Sequence, residues 1–375
     1  MEKEIAWLAQ NGGAVVRYLV AVQLPGGSTG VDLPRLQEAW YHSTPVQEWL
    51  ARLVIGDVPD RQDSEEVLVK RLMGLGFRIH GGPDACLENV MGKLFEFGLH
   101  AGIPEFIQRL APCDDVLGLL AERDQAGFYF GAWEKFIGST LTSWLLRAGV
   151  TQGEGLAAYW PVYLKRLHKI VEAQIFDIYA SEKDLVGLPK AWQGKPIIHP
   201  DILAHYQLPN IHDLYALAYC PASMLDEQQA RKVEGVVSYI LDPRYQVLRE
   251  GFGYGWDKAR RRCYGWGWSA HLPGFVAGAA ERKIFQSTFV QRLELMARIP
   301  LARRSEWFVR SLASLEDYHI GDGIYRFPGE ILREAEGYYV SGYHMGLGEN
   351  RRTRLGLDVE STFRMLRLKM MAGKT

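Results

Sequence analysis

Residues 84–110 read DACLENVMGKLFEFGLHAGIPEFIQRL, and the spacing of their apolar side chains decides the class of fold. Leu87, Val90, Met91, Leu94 and Phe95 fall at i, i+3, i+4, i+7 and i+8. That spacing puts them on one face of a helix turning through 3.6 residues. Asp84, after Pro83, is the expected N-cap, and Gly98 stands where a C-cap glycine belongs. Pro104 suits the first turn of a second helix, in which Ile103, Phe106, Ile107 and Leu110 are apolar. The stretch predicts a helical hairpin with a short connection.

The same pattern recurs outward in both directions. Ser64, Glu65 and Glu66 open a helix carrying Leu68, Leu72 and Leu75, ended by Gly76. Leu141, Trp144, Leu145 and Ala148 precede Gly149, and a further helix carries Tyr163, Leu167 and Ile170. Asp226 leads into Val233, Val236, Val237, Ile240 and Leu241, stopped by Asp242-Pro243. Leu293, Met296 and Ile299 precede Pro300, and Trp307, Phe308, Leu312 and Leu315 follow. The last helix holds Val359, Phe363, Leu366 and Met370, with Glu360 and Arg364 at a favourable i, i+4 spacing. Period-two alternation is sparse. Tyr338-Tyr339-Val340 offers a short hairpin arm at most. The reading is all-α: helical content above half, strands under about a tenth. No polar tether splits residues 1–375, so one domain is expected. Residues 181–213, with Pro189, Pro196, Pro200 and Pro209, form an ordered connecting segment between two halves.

Composition narrows the function classes. The 43 Lys and Arg nearly balance 44 Asp and Glu, which argues against a general nucleic-acid binder. From residue 251 onward, however, 20 Lys and Arg face 13 Asp and Glu, and such a basic third suits an anionic ligand. The apolar fraction, 47%, is enough for a sizeable core. The opening MEKEIAWLAQ lacks the apolar region of a signal peptide, and no uncharged stretch reaches the ~18 residues of a membrane span. Cys86, Cys113, Cys220 and Cys263 show no paired spacing and suit a reducing compartment. A cytoplasmic protein, with no membrane span, is expected.

Three stretches bear on family. Residues 119–128, LLAERDQAGF, run from a helix end through Gln and Gly to an aromatic. Residues 314–328 lead through Asp322-Gly323 to Tyr325 and Phe327, and residues 91–98 read MGKLFEFG. These resemble the turns and an inner helix of the terpenoid cyclase and protein prenyltransferase superfamily. The resemblance implies an α/α toroid, in which inner helices are wrapped by outer ones. The chemistry of that superfamily is not carried over. DxDD, which protonates an alkene, is absent; Asp114-Asp115 is followed by Val116-Leu117-Gly118 and fails DDxxD. Cys220, Cys263 and the histidines show no zinc-ligand spacing, so no metal and no cofactor is expected.

Two segments carry the candidate site. Residues 251–271, GFGYGWDKARRRCYGWGWSAH, alternate glycine with Tyr254, Trp256, Tyr264, Trp266 and Trp268. Asp257, Arg260, Arg261, Arg262 and His271 are interleaved. Aromatic faces beside fixed charges suit a cation, a sugar or a prenyl chain. Residues 342–354, GYHMGLGENRRTR, offer His344 and Glu349 as an acid/base pair, with Asn350, Arg351, Arg352 and Arg354 for an anion. Neither is a P-loop or a dinucleotide fingerprint. The bland alternatives are a packed aromatic corner and a loop whose arginines pair with nearby acids. Together the segments predict a pocket for a hydrophobic or amphiphilic ligand with an anionic head. A carbohydrate-active (α/α) barrel and a protein-interaction scaffold are the other classes the composition admits.

Overall fold

A computed structural model describes residues 1–127, 131–275 and 287–373. Phe128, the aromatic that ends the first superfamily-like stretch, lies outside the described residues. Of the described residues 59% are helical, in seventeen α-helices and several 3-10 turns. Four short strands accompany them: β1 (Gly253–Asp257), β2 (Arg262–Trp266), β3 (His319–Gly321) and β4 (Ile324–Tyr325). No helix among the described residues is long and apolar enough to cross a membrane. The chain divides into two compact units. One comprises Met1–Gly56, Phe77–Leu110 and Gly278–Thr375; the other comprises Asp57–Gly76 and Ala111–Ala277.

In the first unit the helix Leu87–Glu96 is buried almost all round, polar residues included. Its cap is not Asp84 but Cys86. A turn from Pro83 to Cys86 precedes it, and Asn89 Nδ2 gathers the carbonyls of Gly81, Gly82 and Pro83, which holds Asp84 outside the helix. Gly98 adopts a left-handed φ of 88°, and Leu99 N–H reaches back to the Leu94 carbonyl, closing the helix as the sequence implies. The helix packs on Thr44–Ala51. The last helix, Arg354–Met371, is capped by the Thr353 hydroxyl and packs on Glu2–Asn11, Ala14–Gln23 and Phe289–Arg298. Two expectations fail here. Glu360 and Arg364 each find other partners, because both are fully buried and the surrounding elements present opposite charges to them. Tyr338-Tyr339-Val340 form no strand: a 3-10 turn spans Tyr339–Ser341, and Asn89 takes the Tyr339 N–H while Gln291 takes its carbonyl. The Asp322-Gly323 turn joins β3 to β4; both residues are left-handed, which fits a tight strand connection.

In the second unit Ile211–Tyr219 packs on Ala132–Ala148, which also meets Glu154–Glu172; Glu227–Ile240 packs on Glu154–Glu172. Asp226 caps Glu227–Ile240 in a reciprocal box with Gln229. Asp114 accepts the Gly155 and Leu156 N–H groups at 3.0 and 2.8 Å, and so caps Glu154–Glu172. The helix Glu65–Ile79 runs through Gly76 instead of ending there, and a β-carbon at that position would meet the Trp133 ring. Residues 181–213 lie wholly in this unit. Their backbone is ordered by pairing: Ala180 N–H bonds to Ile197 O, and Ile198 N–H bonds to Tyr254 O.

Candidate functional site

The aromatic–glycine segment of the second unit folds as an antiparallel hairpin. β1 and β2 pair Gly253 with Trp266, Tyr254 with Gly265, Gly255 with Tyr264, Trp256 with Cys263 and Asp257 with Arg262. Cross-strand partners share a face, so glycine alternation divides the hairpin into two different sides. Trp256, Tyr254 and Cys263 form the inner side, packed with Leu188, Ile197 and Trp192. Trp192 stands edge-on to Tyr254, and the Lys195 ammonium lies 4.6 Å from the Trp192 ring centroid. The outer side carries Trp266 and Tyr264 opposite Gly253 and Gly255, and Arg262 opposite Asp257. Tyr264 lies across Gly255, where any β-carbon would meet its ring, yet 40% of it remains exposed. Trp266 is half-buried and meets Tyr264 at a ring separation of 6.5 Å.

Cations crowd the turn between the strands. Lys258, Arg260, Arg261 and Arg262 are all exposed. Asp257 supplies the one carboxylate, accepting the Arg260 backbone N–H and its guanidinium at 3.0 and 2.9 Å. Those two hydrogen bonds lower the Asp257 pKa, the backbone one most.

The rest of the segment belongs to a packed corner. Trp268 has a left-handed backbone (φ 70°), its carbonyl accepts Ile211 N–H at 2.7 Å, and its ring lies 4.9 Å from Phe136. His271 Nε2 donates to Leu248 O at 2.8 Å, so Nδ1 accepts from the Ser269 hydroxyl at 2.6 Å. Both ring nitrogens are thereby engaged.

The second candidate segment, in the first unit, is a loop held by buried charge. Lys93 Nζ bonds Glu334 at 2.7 Å and also reaches the Gly346 carbonyl. Arg364, wholly buried, joins Glu96 and Glu294, each at 2.9 Å, and the Met345 carbonyl. Glu360 accepts Leu347 N–H at 2.6 Å and pairs with Arg351 at 3.0 Å. Burial pushes the Glu360 carboxyl up, against the pull of Arg351. His344 has a left-handed backbone (φ 60°) and a buried ring; Nε2 donates to Gly337 O, and burial lowers its pKa. Glu349 accepts Gly13 N–H at 2.6 Å, and burial raises its pKa. His344 and Glu349 therefore each have a structural partner of their own. Asn350 closes the turn before the last helix, taking Arg352 N–H on its side chain and Thr353 N–H on its carbonyl. Arg352 is exposed.

The two segments fall in different units. A cleft of about 560 Å³ in the first unit holds neither; Glu38, Glu105, Tyr41, Ile103 and Pro34 are among the residues that line it. Among the described residues that line it, the charged groups are the carboxylates Glu38 and Glu105, which disfavours an anionic head. All four cysteines are free thiols. Among the described residues no cluster of three or more His, Cys, Asp or Glu could hold a metal ion. Comparison of the chain with family models, curated proteins and solved structures finds no match.

Sequence reading singled out the aromatic residues and arginines of the hairpin but not its pairing. Glycines at every second position, Gly251 to Gly255, were the available signal. The buried charges Lys93, Glu96, Glu294 and Arg364 had none, because each sits in an ordinary helical pattern.

Proposed function

We propose that this protein binds an amphiphile with an anionic head through the β1–β2 hairpin. The observation that carries the reading is the outer side of the hairpin, where exposed Tyr264 and half-buried Trp266 stand beside Arg262 and the cationic turn. Guanidinium groups suit phosphate or carboxylate oxygens, and the two rings suit an apolar chain. The loop 342–354 contributes less to this reading, since Glu349 and Arg351 are already paired. The same proposal includes an α/α toroid of the terpenoid cyclase and prenyltransferase kind. Its support is the succession of helix, glycine and helix, as at Leu87–Glu96, Gly98 and Pro104–Gln125.

Farnesyl diphosphate serves as the probe. Thermal unfolding of the full chain should be raised by it, as mass action stabilises a protein by about 2.7 kcal/mol at a hundredfold excess over Kd. Trp266→Ala and Arg262→Ala should each reduce that shift. No shift at millimolar probe, or a shift untouched by both substitutions, contradicts the reading.

A further inference from the structure

Resting on the reading above, we infer that the hairpin's partner is the surface of a bilayer containing anionic lipid, with Lys258, Arg260, Arg261 and Arg262 on the headgroups and Tyr264 and Trp266 at the interface. The hairpin's outer side is open to solvent. A protein that holds a free amphiphile encloses most of its chain in a pocket. The hairpin's outer side does not enclose: Tyr264 is 40% exposed and the Arg260 side chain 71% exposed. An apolar chain lying there would be covered on one side only, so a free amphiphile would be held less tightly than one whose chain a second apolar phase already buries. A bilayer is such a phase.

Charge and chemistry agree. Four cations lie within five residues of the turn, against the single carboxylate of Asp257. Short basic clusters of this size are drawn to anionic headgroups, each cation strengthening binding about fivefold. Tyr and Trp, apolar in the ring and polar at the edge, settle at headgroup depth. The inner side, held by Leu188, Ile197 and Trp256, anchors the hairpin to its unit, so the turn meets the surface already ordered. Single-stranded nucleic acid would also stack on rings beside cations. The hairpin offers two rings, set 67° from parallel, rather than a row of platforms.

The test is sedimentation of the full chain with phosphatidylcholine vesicles, with and without 30% phosphatidylserine (about one lipid in three). Binding is expected only with phosphatidylserine. It should fall about twentyfold in Arg261→Ala/Arg262→Ala and weaken with salt. Trp266→Ala should weaken it at high salt as well as low. Equal binding to both vesicles, or an unchanged double variant, overturns the inference. If farnesyl diphosphate binds below its micellar range and the vesicles do not, the ligand reading stands and the bilayer inference falls. Binding of an oligo-dT strand in place of the vesicles overturns both.

Discussion

The hairpin 253–266 and the loop 342–354 each hold three glycines and three arginines, but the hairpin carries four Tyr and Trp residues against the single Tyr343 of the loop, and the two use their arginines differently. In the loop, Arg352 and Arg354 face solvent, but the remaining charge and the backbone are tied inward. Arg351 meets Glu360, and the carbonyls of Met345 and Gly346 are held by Arg364 and Lys93. In the hairpin, the strands commit only one side to the core, and the cations of the turn face solvent. The difference teaches that a glycine–arginine segment is a binding candidate only where the surrounding helices do not already present carboxylates to it. At the loop, the helix Arg354–Met371 presents Glu360 to Arg351, while Glu96 and Glu294 hold the Arg364 that binds the Met345 carbonyl.

The largest effect should come from the buried charges beneath the loop. Arg364→Ala leaves Glu96 and Glu294 without their shared partner, and should cost about 3–5 kcal/mol in urea unfolding. A loss below 1 kcal/mol would mean that the loop does not depend on this network. Arg351→Ala should cost less, on the order of 1–3 kcal/mol, because Glu360 keeps the Leu347 N–H. Equal tolerance at Arg351 and Arg261 would break the comparison outright.

Next comes a pH effect at Glu334. Burial raises this carboxyl, but the Lys93 charge and hydrogen bond together with the Gly346 N–H bring it below its ordinary value of 4.5. A carboxyl lowered in the folded state stabilises above its unfolded value, and that contribution is lost as the pH falls through its folded value. The stability difference between wild type and Glu334→Gln should therefore be constant near neutrality and shrink below pH 4.5. A difference independent of pH from neutrality to acid would remove Glu334 from the network.

In the hairpin the effects on stability should be small. Gly255→Ala intrudes on the Tyr264 ring and should cost about 1 kcal/mol while altering the outer side. Arg261→Ala/Arg262→Ala should change stability by less than about 0.5 kcal/mol, because both side chains are exposed. A loss of several kcal/mol there would show that the turn, too, is structural.

How much of this was legible in the sequence depended on whether the cause was local. Apolar spacing marked the helix Leu87–Glu96 and its end at Gly98, and Asp226 was readable as a cap because its partner Gln229 is three residues away. Asp84 misled, since Asn89 draws the preceding turn aside and the cap passes to Cys86. The hairpin strands were missed as strands: glycine on alternate positions hides the usual apolar alternation, and a distant segment, Pro196–Ile198, completes the pairing. The Glu360–Arg364 pair failed for the same reason in reverse, as partners 268 and 70 residues away outbid a neighbour four residues along. Of the candidate residues, the exposed hairpin side chains were readable from local composition. The fates of His271, His344 and Glu349 were set by Leu248, Gly337 and Gly13, which no spacing rule connects to them.

The most direct test of the contrast is a fluorescence titration of farnesyl diphosphate into three full-length proteins: wild type, Arg261→Ala/Arg262→Ala, and Arg352→Ala. Arg352, like Arg354, is an exposed arginine of the loop, so its removal takes a positive charge from that segment without touching the buried network. Kd should rise at least tenfold in the hairpin variant, in keeping with about 1.5–3 kcal/mol for hydrogen bonds to a charged group, and stay within twofold of wild type in Arg352→Ala. An equal loss in both variants, or a loss confined to Arg352→Ala, would contradict it.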